Sequence, residues 1–105
     1  MRLPWPFRKR EQRTVTVDPV QIAALHFLLR FGAATQDTLY QEIRGIHGIN
    51  EEMFTTAMAD LVAQDIADYR YNPENGETAL VLTSLGLRLR RRLPEHSRSR
   101  LAIYL

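Results

Sequence analysis

Residues 50–86 constrain this chain most, because the apolar pattern changes period inside them. Phe54, Ala57, Met58, Leu61 and Val62 recur at i, i+3, i+4, i+7 and i+8, which places one apolar stripe on a helix. Asn50 is a good N-cap for that helix, and Ile49 before it is placed to staple against Phe54. The helix is expected over 51–65. Beyond Gln64-Asp65 the residues turn to Tyr, Val, Leu and Thr, which suit strands over 66–72 and 78–83. Pro73-Glu74-Asn75-Gly76 between them is a turn signal, with Asn-Gly supplying positive φ at little cost. Leu82-Thr83-Ser84-Leu85-Gly86 then opens a short helix.

The preceding residues read as two more helices. Asp18 is an N-cap, Pro19 takes the first helical position, and Gln21 closes a capping box. Val17 and Ile22 make a staple, and Ile22, Leu25, Leu28 and Leu29 supply the stripe, with His26 and Phe27 beside it. Gly32 stops this helix in left-handed geometry. Ala33-Ala34 is a short extended link. Thr35 caps a second helix to about residue 44, with Leu39, Tyr40 and Ile43 facing inward, and Gly45-Ile46-His47-Gly48 is the turn. A fourth helix is expected over 83–93, where Leu85, Leu89 and Leu93 recur and Pro94 ends it. Thr14-Val15-Thr16-Val17 alternates as a strand that pairs with a dimer mate or with the hairpin edge.

Helix, hairpin and the LTSLG phrase at 82–86 together resemble a winged helix-turn-helix domain, whose members often close the wing with an LTxxG phrase. MarR-type and PadR-type bacterial regulators are the likenesses. The fold class is therefore mainly α with a small β-hairpin (α+β): a winged helix-turn-helix with a three-helix core, a wing and a fourth helix. The domain covers 14–93, flanked by a basic arm at 1–13 and a tail at 94–105 that docks on its own core or on a partner's. The resemblance implies DNA binding by the third helix and the wing, and a homodimer.

Charge divides along the same boundaries. Residues 1–13 carry a balance of +4, residues 14–87 a balance of −7, and residues 88–105 a balance of +5. The basic ends either pair with the acidic middle or reach an anionic partner such as phosphate. Trp5 and Phe7 stand among the arginines of the first segment, where an aromatic packs or stacks. The chain has 105 residues and no cysteine, so it suits one small domain without disulfides or thiol chemistry. It lacks a signal-peptide apolar core and any apolar run of about 20 residues, so a soluble cytoplasmic protein is expected.

The DNA contacts implied are Thr55 and Thr56 on the third helix, Arg70 and Asn75 on the wing, and Arg8, Lys9, Arg10 and Arg13 on the arm. The third helix departs from the usual reader. Its polar side carries Glu51, Glu52, Thr55, Thr56, Asp60 and Gln64, with no Arg or Lys. Arg70 is the wing's sole cation, against Asp68, Glu74 and Glu77. A protein-binding module is the alternative, its acidic face or Arg-rich ends gripping a protein partner. A third, weaker idea rests the Trp-Phe-Arg arm on an anionic membrane surface. Catalysis is not expected, since the sequence has no Gly-rich phosphate loop and no nucleophile placed beside a base. No metal or cofactor is expected, because His26, His47 and His96 are scattered.

Overall fold

The computed structural model describes residues 12–90 and 99–104. In chain order the elements are β1 (Gln12–Val17), α1 (Pro19–Phe31), β2 (Ala33–Thr35), α2 (Gln36–His47), α3 (Glu51–Ala63), β3 (Ala67–Asn72), β4 (Glu77–Leu82), α4 (Ser84–Leu87) and β5 (Ser99–Tyr104). The helical stripes meet in one core. Ile22, Leu25 and Leu28 of α1, Leu39 and Ile43 of α2, and Phe54, Met58 and Leu61 of α3 are all essentially inaccessible. Leu80 joins them from β4, the middle strand of a sheet ordered β2-β4-β3. The short link after α1 is thus a true strand, Ala33 to Thr35 opposite Val81 to Ala79.

Each core helix begins at its expected cap. The Gln21 amide N–H donates to Asp18 Oδ1 at 2.8 Å and the Asp18 N–H donates to Gln21 Oε1 at 2.9 Å, completing the capping box. Thr35 Oγ1 accepts from the Thr38 N–H and Asn50 Oδ1 from the Met53 N–H. Two ends differ from expectation. Gly32 closes α1 with positive φ but with ψ −41°, outside the left-handed helical well. α2 runs through Gly45 to His47, and only Gly48 takes the left-handed cap, its N–H donating to Arg44 O at 2.9 Å. An interior glycine costs a helix only about 1 kcal/mol relative to alanine, and Gly45 keeps negative φ.

α3 ends at Ala63, two residues before its expected end. The Ile66 N–H reaches back to Leu61 O at 3.0 Å and the Asp65 N–H to Val62 O at 3.0 Å. This is a Schellman closure, with buried Ile66 over buried Leu61 and Asp65 holding the left-handed position at φ 64°. The chain then turns directly into the wing. In the loop between β3 and β4, Gly76 alone takes positive φ (72°), and Asn75 keeps negative φ while its Oδ1 accepts from the Glu77 N–H at 2.9 Å.

The LTSLG phrase locks the wing's root. The Thr83 N–H donates to Ile66 O at 3.0 Å, and the Thr83 hydroxyl reaches both Asp65 O (2.6 Å) and Ile66 O (3.0 Å) while accepting from the Gly86 N–H at 3.0 Å. Gly86 passes so close to Ile66 that a Cβ would overlap its carbonyl oxygen. α4 is a single turn to Leu87, followed to Arg90 by i→i+3 bonds, instead of a helix to Leu93. Leu85 and Leu89 are buried as expected; Leu93 lies outside the described residues.

The Thr14–Val17 alternation belongs to β1, which starts at Gln12. Within the chain its partner is not the hairpin edge but β5, antiparallel from Gln12 opposite Tyr104 to Val17 opposite Ser99. Val15 and Val17 are buried, so this ribbon lies on the core. Gln64, just past α3, holds its outer edge: the Thr16 N–H donates to Gln64 Oε1 (3.0 Å) and Gln64 Nε2 donates to Thr16 O (2.9 Å). Gln64 Nε2 also donates to Asp60 Oδ2 (2.9 Å), which accepts in turn from Nε2 of buried Gln21 (2.7 Å). Gln21 further donates to Ala57 O at 3.0 Å. One carboxylate thereby ties α3 to α1 and to the terminal ribbon.

Two substitutions test these joints. Gly86→Ala is expected to destabilise the domain by about 1–3 kcal/mol, the usual range for forcing extra atoms into a packed site, seen as a lower midpoint in urea denaturation. Gln64→Ala is expected to speed hydrogen exchange of the Thr16 amide, while lowering global stability by only about 0.5–1.5 kcal/mol.

Candidate nucleic-acid interface

α2 and α3 form the helix pair whose exposed side is the candidate interface. The Tyr40 and Phe54 rings, with centroids 5.4 Å apart, pack the two helices together. With Phe54, Ala57, Met58 and Leu61 buried, the helical period turns Glu52, Thr55, Thr56, Ala59 and Ala63 outward, and all five are exposed. Thr55 and Thr56 thus stand on the outer line of α3. Asp60 and Gln64, grouped with them by sequence pattern, do not: their side chains are engaged by Gln21 and by the Thr16 backbone. Sequence reasoning passed over Met53, which is 56% exposed, and Ala59. The signal for Ala59 was available in its spacing from the buried stripe.

The electrostatics of this face are acidic. Glu51 and Glu52 occupy the first turn of α3, where carboxylates favour the helix dipole by about 0.3–1 kcal/mol each. A groove of about 620 Å³ opens beside Thr56, lined by Asp18, Gln21, Asn50, Glu52, Met53, Thr56, Ala57 and Asp60. No group of three or more His, Asp or Glu side chains among the described residues is arranged to hold a metal ion.

The wing carries Arg70 and Asn75, both exposed. Arg70 sits opposite Ala79 in the β3–β4 register, on the sheet face away from Tyr69 and Tyr71. Asn75 spends its carbonyl oxygen on the turn, which leaves its amide N–H₂ to donate outward. Exposed Asp68, Glu74 and Glu77 surround them. Of the arm residues, Arg13 lies in β1 opposite Ile103. Arg8, Lys9 and Arg10 fall outside the described residues. The helix residues and the wing residues are therefore two clusters, joined through the Asp65–Ile66 turn and the Thr83 clasp.

Among the described residues no helix is long and apolar enough to cross a membrane. No family model matches this sequence, and no curated protein matches it. Its fold is similar to two crystal structures of the PcaV transcriptional regulator from Streptomyces coelicolor. The first has a TM-score of 0.60 at 27% identity, covering 70% of this chain and 52% of that one. The second, in complex with its natural ligand, has a TM-score of 0.59 at 27% identity, covering 70% of this chain and 50% of that one. The chain thus spans about half the length of these regulators. Three core helices, an antiparallel wing and the Thr83–Gly86 closure make this chain a winged helix-turn-helix domain resembling those of MarR-type and PadR-type bacterial transcriptional regulators.

Proposed function

We propose that this chain is a DNA-binding transcriptional regulator that places α3 in a groove of double-stranded DNA, lays the wing on the backbone and grips phosphates with its basic ends. The observation that carries the reading is the outward, solvent-exposed line of α3 beside a projecting wing, in a fold shared with a transcriptional regulator. Thr55 and Thr56 contact the groove; Arg70 and Asn75 contact the backbone. Arg8, Lys9, Arg10 and Arg13 supply the electrostatic grip that α3 lacks, since α3 and the wing together hold a single cation. A homodimer presents two such units to a two-fold site. The lack of any Arg or Lys on α3 favours a second reading, in which the acidic face and Arg-rich ends bind a protein partner.

Fluorescence anisotropy with random duplex DNA across a salt series separates the two. The full chain is expected to bind with a steep salt slope. Deleting residues 1–11, which leaves β1 intact from Gln12, is expected to weaken binding. It is also expected to flatten the slope by about 0.9 for each phosphate that the shortened chain no longer neutralises. Absence of binding even at about 50 mM salt, where electrostatic attraction to phosphate is strongest, overturns the DNA reading and directs attention to a protein partner.

A further inference from the structure

The outward line of α3 is chemically selective. The commonest specific base contact is Arg or Lys on the O6 and N7 acceptors of guanine, and α3 carries neither residue. Its outward line instead carries the methyl-bearing Thr55, Thr56 and Ala59 and the carboxylate of Glu52, flanked by exposed Glu51 and Met53. Methyl-bearing side chains pack on the C5-methyl of thymine. A carboxylate only accepts hydrogen bonds, so every acceptor edge in the groove repels it, and an exocyclic amino group satisfies it. The Asp60 carboxylate, on an exposed residue, is engaged by the Gln21 and Gln64 amides at 2.7 and 2.9 Å. Glu51 lies one residue around the helix, beside Thr55.

Resting on the DNA-binding reading above, we propose that α3 reads pyrimidines: thymine through the methyl groups of Thr55, Thr56 and Ala59, and cytosine through its N4 amino group donating to Glu52. Glu52 also acts against the wrong base: guanine and thymine present it with acceptors, and adenine's N6 amino group is flanked by the N7 acceptor, whereas cytosine offers its amino group with no acceptor beside it, so discrimination arises from repulsion as well as attraction. Affinity and specificity are thereby divided between different parts of the chain, the basic ends holding any duplex and α3 choosing where the chain stops.

The test uses the full chain and duplexes selected by it from a randomised library. In a selected duplex, replacing a contacted dT by deoxyuridine removes one methyl group. This is expected to weaken binding about fourfold, the value of one buried methylene-sized group. Thr56→Ser keeps the hydroxyl and loses the methyl, so in that variant the deoxyuridine substitution at the Thr56 position is expected to have no further effect. Glu52→Gln is expected to relax the cytosine preference by about fivefold or more, since a glutamine amide also donates. Selected duplexes insensitive to deoxyuridine, or weakened chiefly by 7-deazaguanine, which lacks the N7 acceptor, overturn this inference while leaving DNA binding intact. Failure to bind any duplex overturns the DNA reading, and this inference with it.

Discussion

The carbonyl group of Ile66 is the point on which the winged part of the molecule turns. It accepts both the backbone N–H and the hydroxyl of Thr83, and Gly86 passes over it too closely for any side chain to fit between them. One residue earlier, Asp65 holds a left-handed conformation that closes α3. Four elements converge here: the end of α3, the start of β3, the end of β4 and the turn of α4. The orientation of the wing relative to α3 is set at this junction. A threonine that caps a helix while satisfying two carbonyls at the wing's root, followed three residues on by a glycine, is a physical account of why LTSLG has the composition it does.

A second joint orients the same helix from its other side. Asp60 accepts from the amides of Gln21 and Gln64, and Gln64 in turn serves both polar backbone groups of Thr16. Gln21 is only 3% exposed, so its amide needs partners inside the protein, and it finds them in Ala57 O and Asp60. Leaving such a buried amide without an acceptor costs about 1–3 kcal/mol, several times the worth of an ordinary surface ion pair. The polar network therefore carries structural weight, and it engages a carboxylate of α3 with the protein's own amides.

The distribution of charge has a physical sense under the proposed reading. The middle of the chain is acidic and both ends are basic. In the proposed reading, long-range attraction to phosphate comes from the ends, and short-range choice comes from a helix that carries no cation. In that reading such a helix adds nothing to non-specific affinity, so attraction to any duplex rests on the ends.

The sequence by itself determined the helices of the core, their N-caps, the hairpin and its position, and the apolar stripes that meet inside. These are local matters: a period of about 3.6 residues, a capping side chain reaching three residues on, a glycine at a positive φ. Tertiary structure alone decided the partner of β1, because strand pairing across almost the whole chain leaves no trace in the local pattern of residues 14–17. It also decided that the Asp60 and Gln64 side chains bond to neighbouring elements while Thr55, Thr56 and Ala59 face out. Periodicity separates apolar from polar faces, but a polar side chain bonded to a neighbouring element and one bonded to water read alike until the neighbour is in place. The path of α2 through Gly45, where an interior glycine costs a helix little, and the single turn of α4 were likewise not legible in the local pattern.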